Sequence, residues 1–175
     1  MSEPTDTLVA FLKTQENAAL EAGDMRALRH PSPEGGLDTI GFGHKLTREE
    51  VKSGRVYGFD PRNLTIEDAE EILRLDIQRA QRTLDRRLRK SHGVALKDLS
   101  PRKRMMLTDY EFNLRGGISS FPSFTGAVIA GDQSKQEDEM TRYYTDAKGV
   151  TRPLARNRAF YQTFMSNDAR KKLGE

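Results

Sequence analysis

The stretch "HPSPEGGLDTIGFGHKLT", His30 to Thr47, opens in prolines and glycines and then alternates Thr39-Ile40-Gly41-Phe42-Gly43-His44. The alternation reads as a strand entered from a turn, with a bare glycine at every second place. Glycine in a strand loses conformational entropy on ordering and packs no side chain, so an isolated strand gains nothing from it. Period-two geometry predicts Thr39, Gly41 and Gly43 on one face and Ile40, Phe42 and His44 on the other. One face is then stripped to hydrogen and one hydroxyl, against which a bulky ligand can lie, while the other packs. A glycine-rich hairpin made for twist or a bulge is the plainer alternative.

On the N-terminal side, Leu8, Phe11 and Leu12 fall at helical spacing after Pro4 and Thr5 or Asp6, which predicts a short amphipathic helix ending near Glu16-Asn17. From Ala18 to Pro33 the periodicity is weak. On the C-terminal side "KSGRVYGFDPRN" is a second loop-rich piece, so residues from about 30 to 60 form a small β-containing lobe. Thr65-Ile66-Glu67-Asp68 resembles a capping box, and Ile66, Ala69, Leu73, Ile77, Ala80, Leu84 and Leu88 keep one face apolar as far as His92-Gly93. That predicts a helix roughly 35 to 40 Å long, enough to link two lobes. Ser100-Pro101 starts another helix, with Met105, Met106 and Tyr110 inside, and Gly116-Gly117 stops it. A further helix runs from Ser123 to Gly131, and two more lie around Ser134 to Tyr144 and Leu154 to Met165, separated by the turn-rich "TDAKGVTRP".

A chain of 175 residues suits one domain, or one core with two lobes around a shared helix. It lacks cysteine, which excludes disulfides, thiolate nucleophiles and thiolate metal sites together. Its 29 basic and 26 acidic residues leave a net charge of +3, a mild excess that suits any polyanion. The basic runs "RAQRTLDRRLRK" and "SPRKR" lack the interleaved aromatics of a single-strand nucleic-acid binder and read as solvated helix faces. The start "MSEPTDTLVAFLKT" reads as neither a signal peptide nor a membrane span.

Glu16 closes the first helix on nearly the face occupied by Leu12. A carboxylate beside an apolar face is less hydrated and keeps a proton more readily, as a general acid at neutral pH requires. "LVAFLKTQEN" followed by "EGGLDTIGFGHKLT" resembles the phage-type lysozymes, the T-even muramidase family, in which a short helix ends in a catalytic glutamate and a strand T-I-G-x-G-H follows. The resemblance runs over nearly the whole chain. "LTIEDAEEILRLDI" is similar to the start of the family's interlobe helix, "RMMLTDYEFNLRGGISSFPSF" to its buried central helix, and "RYYTDAKGVTRPLARNRAFYQTF" to its closing aromatic region.

The resemblance implies a mainly α, α+β lysozyme-like fold of two lobes in a single domain, residues 1–175. The N-terminal lobe would cover about 14–64, the interlobe helix about 65–90 and the C-terminal helical lobe about 91–175, with the first helix packing on that C-terminal lobe. It matches Glu16 to the proton donor, and Thr39 to a threonine that holds water beneath the sugar. Gly41, Gly43 and Asn113 would line the substrate path, and His44 and Asp76 would form a structural pair between hairpin and long helix. The family carries aspartate before the strand where this chain has Ser32, so the second carboxylate must be Glu34, which we favour, or Asp38. With neither, a single-acid lytic transglycosylase or a non-catalytic peptidoglycan-binding module remains. Twenty-two residues separate Glu16 from Thr39, a longer segment than in compact members, so Glu21 is the second choice for the acid. The substrate implied is the MurNAc-GlcNAc β-1,4 bond of peptidoglycan, cut by a monomer needing no metal, cofactor or nucleic acid. The source implied is a phage, whose enzyme is made in the host cytoplasm and reaches the wall by holin release or in the virion.

Overall fold

The computed structural model describes residues 5–31 and 37–174. These fall into two compact units, the described residues up to Arg79 and those from Ala80 onward. In the first unit, helix α1 (Asp6–Glu16) starts under the Thr5 hydroxyl, which accepts from the Leu8 N–H, and buries Leu8, Val9, Phe11 and Leu12. It ends at Glu16, one turn past Leu12, the last of its apolar residues.

After Asn17 comes a single turn, α2 (Ala18–Glu21), then a 3₁₀ turn over Met25–Leu28. Three two-residue strands follow, β1 (Arg29–His30), β2 (Thr39–Ile40) and β3 (His44–Lys45), paired antiparallel in that order. The run from Thr39 to His44 is therefore no single strand. Ile40 pairs with His44, and the three residues between them form the turn, with Gly41 at φ +55 and Gly43 at φ +92. Side-chain-bearing residues avoid that left-handed region, so the alternating glycines fold the chain back on itself. Ile40, Leu46, Val56 and Ile72 make the small core of this lobe, with Leu37, Phe59 and Leu64 packed on it.

Helix α3 (Arg48–Ser53), unforeseen in a lobe read as β-containing, has a reciprocal capping box between Thr47 and Glu50. Helix α4 (Ile66–His92) runs as expected, its 27 residues spanning roughly 40 Å at about 1.5 Å each. Thr65 and Asp68 cap it reciprocally, at 3.0 and 3.1 Å.

In the second unit, α5 (Pro101–Asn113) starts at the Ser100 cap and buries Met105, Met106, Leu107 and Tyr110. Helix α6 (Pro122–Ala130) begins with proline in its first turn and stops at Gly131, φ +80. The next helix, α7 (Gln133–Glu139), ends short of the expected Tyr144. Tyr143–Thr145 instead forms strand β4, paired with β5 (Thr151–Pro153). Tyrosine and threonine favour strands, and the Asp146 carboxylate accepts from the Lys148 and Val150 N–H groups to close the turn between them. Helix α8 (Arg156–Phe160) continues as one π turn over Tyr161–Met165, and α9 (Asn167–Lys172) follows.

The core of this unit is aromatic. Tyr110 stacks on Phe124 at 4.3 Å between centroids and meets Phe121 and Phe160 edge-on, each at 5.3 Å. Arg142, 0% exposed, lies within it: its guanidinium is 4.4 Å from the Tyr110 centroid and 4.9 Å from that of Phe160. Its charge is met by Asp109 at 2.7 Å. Arg156 also bonds Asp109, and Asn157 accepts from the Arg142 backbone N–H.

Candidate active site

Glu16 is half-buried at the end of α1 and meets the hairpin turn. A methyl group built on Gly43 would stand 3.1 Å from Glu16 Oε2 and 3.3 Å from its Cβ, so the missing side chain is the space the carboxylate needs. Gly41 is matched in the same way to α4, since a Cβ there would lie 3.0 Å from the Ala69 methyl. Neither glycine presents the empty strand face that period-two geometry predicted. One fits helix α4 and the other fits Glu16.

Asn17 and Lys13 also hold this junction. Asn17 Nδ2 donates to the carbonyls of Ala27 at 2.8 Å and Gly41 at 2.9 Å, and its Oδ1 accepts from the Leu20 N–H at 3.1 Å. Lys13, one turn before Glu16, places its ammonium 5.3 Å from the Phe42 centroid. Lys13 also bridges Glu21 at 2.9 Å and Glu70 at 3.0 Å. Burial disfavours that ammonium, but the two carboxylates outweigh the penalty and its pKa is raised. Glu21, the second choice for the acid, is thus engaged with a cation.

Thr39 is buried in β2, paired with His30 on one side and Lys45 on the other. Asp38 lies beside it, its carboxylate bonded to Arg29 Nε at 2.7 Å. Glu34 and Ser32 lie outside the described residues. Asn113 is the last residue of α5, in the other unit. Among the described residues, no three His, Cys, Asp or Glu side chains converge as metal ligands would, and no helix is long and apolar enough to cross a membrane.

His44 and Asp76 pair as expected, Nδ1 to Oδ2 at 2.8 Å. Two partners are added that the spacing did not suggest: Glu50 at 3.3 Å from His44 Nε2, and the Tyr57 hydroxyl, donating to Asp76 Oδ1 at 2.7 Å. Tyr57 is held at φ +49, in the left-handed region, and meets the His44 ring edge-on at 5.8 Å. Burial works against the imidazolium, but its bonds to Asp76 and then Glu50 prevail, and the His44 pKa is raised above its ordinary 6.5. A raised pKa means that the folded state binds the proton more tightly. This stabilisation is full below about pH 6.5 and is lost as pH climbs through the raised value. The thermal-midpoint difference between wild type and His44→Gln should therefore narrow from about pH 6 to about pH 9; a difference constant over that range would show that the charge on His44 contributes nothing.

With the fold and this junction in place, comparison identifies the class. The family model described as phage lysozyme matches residues 19–160, most of the chain, beginning just after Glu16. The chain belongs to the phage lysozyme family, and its function is of the lysozyme type, directed at peptidoglycan. Among solved structures it is similar to the muramidase domain of SpmX from Asticaccaulis excentricus, with a TM-score of 0.58 and 19% identity over 95% of this chain and 99% of that one. At that identity the likeness establishes the mainly helical, lysozyme-like fold. No curated protein matches the sequence.

The residues missed by sequence reasoning are Asn17, Lys13, Glu50 and Tyr57. Asn17 had a signal: asparagine directly after a helix end is a residue type that caps the next helix. Thr47 and Glu50 had one too, in the spacing "TREE" of a capping box.

Proposed function

We propose that the chain is a muramidase that hydrolyses the β-1,4 bond between N-acetylmuramic acid and N-acetylglucosamine, with Glu16 as general acid. The observation that carries this reading is the fit of the Glu16 carboxylate against Gly43 in the hairpin turn. Gly43 is already required by its backbone at φ +92, and the Glu16 carboxylate occupies the room left by its missing Cβ, held against the turn instead of free in solvent. Glu16 protonates the glycosidic oxygen as the bond to the sugar breaks, Glu34 takes the proton of the attacking water, and Thr39 holds that water. The mild basic excess draws the protein to the anionic wall. In this reading the protein is a phage lysis enzyme, released into the host wall or carried in the virion.

Loss of turbidity from outer-membrane-permeabilised cells separates an enzyme from a binding module. Mass spectrometry of the released muropeptides then separates the chemistries: reducing ends are expected, whereas 1,6-anhydro ends would replace hydrolysis with a transglycosylase using Glu16 alone. Glu34→Gln should cost far more activity than Asp38→Asn, because Asp38 is already bonded to Arg29. If Glu34→Gln stays fully lytic, the carboxylate pair fails as an account. An inverting pair would sit roughly 6.5 to 9.5 Å apart and a retaining pair about 5 to 5.5 Å.

A further inference from the structure

The end of α1 meets the hairpin turn residue for residue. Lys13, Glu16 and Asn17 stand at i, i+3 and i+4 and share one side of the helix end. Lys13 lies against Phe42, Glu16 against Gly43, and Asn17 holds the Gly41 carbonyl. The backbone leaves the helix at Asn17, at φ −154 and ψ 76, so Glu16 occupies the last helical position, where helices fray. General acid catalysis tolerates little play there, because a displacement of about 1 Å can cost on the order of a hundredfold in rate.

We propose that Asn17 is a positioning residue for Glu16, its amide locking the end of α1 to the turn that the carboxylate packs against. The inference rests on the reading of Glu16 as the acid. One amide makes three hydrogen bonds to three separate segments: the Ala27 carbonyl before β1, the Gly41 carbonyl in the turn and the Leu20 N–H of α2. The plain role of capping α2 uses only Oδ1. Aspartate caps a helix as well as asparagine does, but it has no N–H to offer and would turn a negative oxygen toward two carbonyls. Asn17→Asp therefore separates the cap from the lock.

The test measures kcat and KM on soluble peptidoglycan oligomers of defined length, well below the thermal midpoint, for wild type, Asn17→Asp, Asn17→Ala and Glu16→Gln. Both Asn17 variants are expected to fold, to lose roughly 10- to 100-fold in kcat and to keep KM within about twofold, since the acid is displaced while the sugar contacts remain. Wild-type kcat in Asn17→Asp would overturn the proposal, leaving Asn17 a helix cap. So would variants that fail to fold, or that lose activity only in proportion to their unfolded fraction, leaving it a structural residue. Glu16→Gln keeps the two claims apart. If it retains activity, the assignment of the acid falls whatever Asn17 does. If it is inactive while both Asn17 variants keep kcat, only the positioning role falls.

Discussion

Glu16→Gln should abolish lysis, lowering the rate roughly 10²- to 10⁴-fold, the usual contribution of a general acid, while moving the thermal midpoint by no more than about 2 °C. The amide has the shape of the carboxyl group, so it still fits against Gly43, where the nearest glutamate oxygen lies 3.1 Å from the position of a Cβ. What it lacks is the proton for the leaving oxygen. Turbidity assays on permeabilised cells read the activity, and calorimetry reads the fold. Near-full activity in Glu16→Gln together with an inactive Glu21→Gln would show that the acid had been placed one turn too early. In the structure Glu21 is bound to Lys13 at 2.9 Å and Asn17 caps the short α2 that carries it.

The elements that local pattern controls could be read directly from the sequence. Helix α1 keeps apolar spacing to Leu12 and ends one turn later at Glu16, and α4 keeps one apolar face to Leu88 and ends one turn later at His92. The stretch around Gly41 and Gly43 was informative but ambiguous. Alternation with glycine fits an extended strand and a tight turn equally well, and only contact with Ala69 and Glu16 selects the turn. The hairpin of β4 and β5 was misread as helix up to Tyr144 because its polar residues carry no clear period. The candidate site shows the same division. The pairing of His44 with Asp76 and the candidacy of Glu16 came from the family resemblance, whereas Asn17's bond to Gly41, 24 positions apart, is announced by no motif. Spacing alone fixes neither bond: His44 and Asp76 stand 32 positions apart, and their pairing was legible only through the resemblance, which carries nothing about Asn17.

The buried charges of the second unit lie beyond local pattern for the same reason, and they carry the second large effect. Asp109 and Arg142 are 33 positions apart and both side chains are 0% exposed, with Arg156 as a second cation on the same carboxylate. Removing two charges from water is expensive, and their attraction offsets that cost only while both are present. Asp109→Ala should therefore destabilise the protein by about 3 to 5 kcal/mol, leaving Arg142 buried between Tyr110 and Phe160 with no counter-charge. For a chain of this size that corresponds to a fall of roughly 10 °C in the thermal midpoint. Activity per folded molecule should stay near wild type, the reverse of Glu16→Gln, because the carboxylate lost has no part in the chemistry. Asp109→Leu combined with Arg142→Met should cost less than Asp109→Ala alone, since the more buried of the two cations on Asp109 then leaves with the carboxylate, and Arg156, nearer the surface, stays. If the double variant is as unstable as the single one, the loss comes from packing around Tyr110 and Phe160, and the ion pair is not what holds this core.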